Sequence, residues 1–113
     1  MLREPGHERV QVALDGGRLS TVNLAEVLSF LARQGLDTSP VFDRIEALPI
    51  EIVPFSSAHA ALAAGLAPIG RPLGLSLGDR ACLALALDRG IPALTADRGW
   101  CKADLGVEIM VIR

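Results

Sequence analysis

The 113-residue chain has no tyrosine, one tryptophan and three phenylalanines. Aromatics make up 4% of it and hydrophobic residues 50%. A core must therefore be packed from Leu, Ile, Val and Ala, as in layered α/β proteins. Lysine is nearly absent too. Lys102 stands alone among arginines, and no Gly-Lys-Ser/Thr triplet occurs, which excludes a P-loop. The two cysteines, Cys82 and Cys101, are spaced for neither a zinc pair nor a disulfide framework. Reduced thiols point to the cytoplasm. A formal charge of −2 excludes a polyanion binder held by bulk charge. No run of about 18 apolar residues occurs, so no membrane span is expected. The opening Met1-Leu2-Arg3-Glu4-Pro5-Gly6 has no apolar signal-peptide region.

What is present reads as one domain, residues 1–113, in which strands and helices alternate. Residues 7–14 read as a short helix closed by Asp15-Gly16-Gly17. Residues 19–22 are extended. Asn23 caps a helix to about Gln34, stopped by Gly35. Thr38 or Ser39 caps the next, with Pro40 in its first position, and it ends before Pro49. Residues 50–55 form a strand. Ser56 or Ser57 opens an Ala-rich helix to about Ala67, and residues 68–74 form a loop. Ser76 caps a helix to Asp88 that stops at Gly90. Residues 91–95 and 107–112 are strands, with a helical turn at 97–102 between them. Strands that are continuous apolar runs imply a parallel sheet covered by helices on both faces, a three-layer α/β/α domain.

Three acids stand out. Asp79 lies three residues after Ser76, as in a capping box, and heads an apolar stripe of Cys82, Leu83 and Ala86. It can cap the helix, or it can point inward as a metal ligand. Asp97 follows the apolar segment Leu94-Thr95-Ala96, beyond the carboxyl end of a strand, where α/β sites form. It can cap the turn that carries Trp100 or serve the site, with Thr95 orienting a neighbouring group. Glu26 is the only charge between Arg18 and Arg33, and it shares a helical face with Val22 and Phe30. A carboxylate on an apolar face calls for an arginine partner, a place at the rim or a cation. A single metal site accounts for all three acids. The remaining acids, and His7 and His59, read as surface residues, and Trp100 as a packing anchor.

The segments Ser20-Thr21-Val22-Asn23-Leu24-Ala25-Glu26-Val27, Gly74-Leu75-Ser76-Leu77-Gly78-Asp79 and Leu94-Thr95-Ala96-Asp97-Arg98-Gly99-Trp100 closely resemble, in order, those of the PIN-domain ribonucleases. Within them the match is to VapC-type toxins of bacterial toxin–antitoxin modules. The resemblance implies a parallel sheet flanked by helices and Mg²⁺ or Mn²⁺ held by acids. It also implies endonucleolytic hydrolysis of RNA and a cognate antitoxin that covers the cleft, and it suggests homodimers. Glu26, Asp79 and Asp97 match the family's acids, and Thr95 its hydroxyl residue. Ser76 supports Asp79. Arg80 and Arg98, beside the aspartates, can either contact RNA phosphates or stand as solvated surface charges.

Two departures follow from the same comparison. Family members usually begin with a central strand that ends in Asp. Here residues 1–6 resemble the end of the first helix, so that strand and its acid are expected to be missing. Some members also carry an acid where this chain has Gly99. A truncated, inactive domain that binds an antitoxin or its own copy is therefore the second hypothesis. A phosphoryl-accepting receiver is a weaker third, because Lys102 precedes the last strand.

Overall fold

The computed structural model describes residues 12–13, 17–95 and 97–111. The elements run β1 (Val12–Ala13), β2 (Arg18–Ser20), α1 (Thr21–Arg33), α2 (Ser39–Ala47), β3 (Glu51–Val53), α3 (Ser57–Gly65), α4 (Ala67–Leu73), α5 (Leu77–Arg89), β4 (Ala93–Thr95), a 3-10 turn (Arg98–Lys102) and β5 (Ile109–Val111). The strands form one sheet in the order β3-β2-β1-β4-β5. β2 pairs with β3 in parallel, and so does β4 with β5. The result is the α/β fold expected, with helices packed on a sheet built from two parallel pairs.

β1 lies between the two parallel pairs and runs antiparallel to both neighbours, pairing Ala13 with Arg18 and Val12 with Leu94. The helix expected over residues 7–14 is therefore corrected at Val12 and Ala13, which are extended. The rest of that segment lies outside the described residues. The physical reason is strand pairing: Val12 and Ala13 satisfy backbone N–H and C=O groups of both β2 and β4, which a helix could not do.

α5 is the centre of the molecule. From Gly78 to Ala86 every residue but Arg80 is buried, so its apolar surface is continuous around the axis. It packs against β1, β2 and β4, with α1 and α3 alongside. Cys82, Leu83, Leu85 and Ala86 join Val53, Leu66, Ile91, Ala93, Trp100 and Leu105 in the core. Trp100 is fully buried, as a packing anchor must be. The helix ends at Gly90, whose φ of 65° is the left-handed cap that glycine adopts at least cost.

Two other boundaries differ from expectation. The cap of α1 is Ser20, whose hydroxyl accepts from the Val22 N–H, and not Asn23. Residues 67–73 form a helix, α4, where a loop was expected. Pro68 is tolerated in its first turn, and Gly74, at φ 70°, closes it as Leu75 N–H bonds back to Gly70 C=O. Gly70 itself lies under the Leu75 side chain, which a Cβ at position 70 would press. No described helix is long and apolar enough to cross a membrane.

Candidate functional site

The N-terminus of α5 is fixed by a reciprocal capping box. Asp79 N–H donates to Ser76 Oγ at 3.1 Å, and Ser76 N–H donates to Asp79 Oδ2 at 2.9 Å. The capping role expected of Asp79 is real, and it fixes where the carboxylate sits. Asp79 is buried at the head of the apolar stripe, 6% exposed.

Glu26 comes to the same place from α1. Its carboxylate lies against the bare Cα of Gly78, the residue before Asp79. A Cβ at position 78 would overlap the whole Glu26 carboxylate group. Asn23, one turn earlier on α1 and fully buried, clamps this junction. Its Nδ2 donates to Glu26 Oε1 at 3.2 Å and to the Gly78 carbonyl at 3.0 Å. Asn23 Oδ1 is buried without a partner.

The electrostatics record the convergence. Burial raises the Glu26 pKa above the ordinary glutamate value, the Asn23 amide opposes the rise, and the Asp79 charge adds to it. One turn along α5, the Cys82 thiol is pushed far up by burial first, then by Asp79 and Glu26. Cys82 is thus held neutral and unreactive beneath a two-carboxylate floor.

Asp97 is placed at the carboxyl end of β4, as expected, and is exposed. Its Oδ1 accepts from Gly99 N–H at 2.8 Å and so caps the 3-10 turn. Buried Thr95 supports it from the backbone side, its Oγ1 accepting from Asp97 N–H at 2.9 Å. The structure brings Glu26 and Asp79 together, and Asp97 does not complete a three-acid cluster with them. Among the described residues, no three His, Cys, Asp or Glu side chains are gathered closely enough to hold one ion. Arg80 directs Nη1 to the Ala63 carbonyl at 2.9 Å and so ties α5 to α3. Arg98 is exposed on the 3-10 turn beside Asp97.

Two features were hidden from the sequence. His59, expected at the surface, is 2% exposed, and its Nε2 lies 3.0 Å from Asp88 Oδ2. Asn23 reads in sequence as a helix cap, yet it bridges two elements. The only local signal for its role is the i, i+3 spacing to Glu26.

A sheet with two parallel strand pairs packed on a buried helix, with two carboxylates at that helix's start, defines a compact α/β domain. The profile of the PIN domain matches residues 1–105, and the chain belongs to that family, a nuclease fold that generally uses divalent metals. Comparison with curated proteins gives no match.

The residues fit a divalent cation in part. Glu26 and Asp79 offer hard oxygen donors, and their mutual repulsion is what such an ion relieves. The orphaned Asn23 Oδ1 is a further oxygen at the same junction.

Proposed function

We propose that the protein is a metal-dependent endoribonuclease of the VapC type, which hydrolyses RNA phosphodiester bonds with Mg²⁺ or Mn²⁺. The observation that carries this reading is the seating of Glu26 beside Asp79 over a buried apolar floor. Mg²⁺ is commonly held by only one or two carboxylates, with waters and substrate phosphate completing its shell. When bound, such an ion lowers the pKa of a water and offsets the charge that builds at phosphorus.

The chain's own residues do the rest. Glu26 and Asp79 would hold the ion, and Asp97 would serve as the third acid. Ser76 fixes the Asp79 carboxylate, and Thr95 fixes the turn that presents Asp97. Arg98, exposed beside Asp97, takes an RNA phosphate, and Arg80 adds the guanidinium donors not spent on Ala63. A cognate antitoxin covering the cleft and a homodimer complete the proposal.

Cleavage of single-stranded RNA in Mn²⁺ tests it, with wild type, Asp79→Asn and Asp97→Asn. Asparagine keeps an oxygen acceptor for the Ser76 or Gly99 N–H, so both variants should fold as wild type by circular dichroism. Each should lose more than the roughly 10–100-fold that removal of an outer-shell partner costs at metal sites. Unchanged cleavage by either variant overturns the reading.

One observation favours a second reading, an inactive PIN domain that binds an antitoxin or its own copy. Asp97 does not complete a three-acid cluster with Glu26 and Asp79, and its Oδ1 caps a turn. That reading predicts no cleavage by wild type at millimolar Mn²⁺ or Mg²⁺.

A further inference from the structure

We propose that Gly78 and Asn23 are positioning residues, which together form a seat that fixes the Glu26 carboxylate beside Asp79. The inference rests on Glu26 being a site acid. Glu26 and Asp79 are 53 positions apart and belong to different helices, so their proximity must be enforced by the α1–α5 contact.

Gly78 enforces it by having no side chain. In the first turn of α5, alanine is a better helix former than glycine. A glycine here gives up helix stability, and the nearest atoms a Cβ would meet all belong to the Glu26 carboxylate. Asn23 enforces it by hydrogen bonding. One amide group donates both to the carboxylate and to the Gly78 carbonyl, so the acid and the helix that receives it are held by the same atom, Nδ2. Asn23 has no exposed surface, so its rotamer is set by packing. A longer or shorter side chain at position 23 would break both bonds.

The test is a double-mutant cycle with Gly78→Ala and Glu26→Ala, read by urea denaturation of the metal-free protein, with Mn²⁺ titration of each form. With Glu26 present, Gly78→Ala should lower the urea midpoint or, if the carboxylate swings aside, weaken Mn²⁺ binding at least tenfold in a folded protein. In the Glu26→Ala background the same substitution should raise the midpoint, because the clash is gone and helix propensity remains. Asn23→Ala should weaken Mn²⁺ binding about tenfold or more. Equal effects of Gly78→Ala in the two backgrounds, with wild-type Mn²⁺ affinity, overturn the seat. Should wild type bind no Mn²⁺ and cleave no RNA, the nuclease reading falls while the urea cycle still decides the seat. In that case a non-additive cycle upholds it and an additive one removes it.

Discussion

Asp79 combines two roles often treated as alternatives. Its Oδ2 closes a capping box, and its charge faces a second carboxylate across the head of an apolar stripe. Capping does not argue against a site here, because it is what holds the acid rigid. Glu26 bears the cost of that arrangement. It is partly desolvated and close to a like charge, and the Asn23 amide only partly offsets this. A group kept under such conditions is destabilising unless something binds it. Glu26→Gln keeps an oxygen for the Asn23 bond and removes the charge. In EDTA at pH 7 it should raise the urea midpoint above that of wild type while abolishing Mn²⁺-dependent RNA cleavage. A lower midpoint would show that Glu26 is a structural ion, not a site acid. The charge and spacing of Glu26 were legible in the sequence. Its seat was not, because Asn23 and Gly78 are 55 positions apart and a glycine's lack of a side chain matters only when its neighbour is known.

Among the elements, local chemistry was legible where it acts locally. The Ser76–Asp79 box, the stop at Gly90 and the Asp97 turn are each set by residues within four positions of one another, and each stands as expected. Where tertiary context overrode the local signal, the expectation shifted. Asn23 looks like a cap, but its amide is used by α5, so Ser20 caps α1. Gly70, Arg71 and Pro72 look like loop residues. They lie in α4 because Pro68 starts a helix well and the Gly74 cap ends it. His59 finds Asp88 29 positions away, across the α3–α5 contact. The box itself can be weighed. Ser76→Ala removes the acceptor for Asp79 N–H and should cost about 1 kcal/mol in urea denaturation. The Ser76 backbone N–H still holds Asp79 Oδ2, so RNA cleavage should fall much less than in Asp79→Asn. Equal losses in the two variants would mean that the serine hydroxyl, not the aspartate charge, is what the site needs.

At the scale of the whole molecule, the apolar strands and the buried α5 announce the α/β fold, and the chain is a PIN domain across residues 1–105. The part that escaped prediction is β1. Residues 12–13 fill the centre of the sheet antiparallel to both neighbours, where they meet the pairing needs of β2 and β4. β1 joins the two parallel pairs, and α5 packs across all three of the inner strands, β2, β1 and β4. The sheet and α5 thereby bring the starts of α1 and α5 together, and with them Glu26 and Asp79. We propose this pair as the cation site. Calorimetric titration of the full chain with Mn²⁺ tests it most directly. Wild type should bind saturably at or below millimolar concentration, and Glu26→Gln and Asp79→Asn should each bind more than tenfold more weakly. Absence of binding by folded wild type, or unchanged binding by both variants, would contradict it.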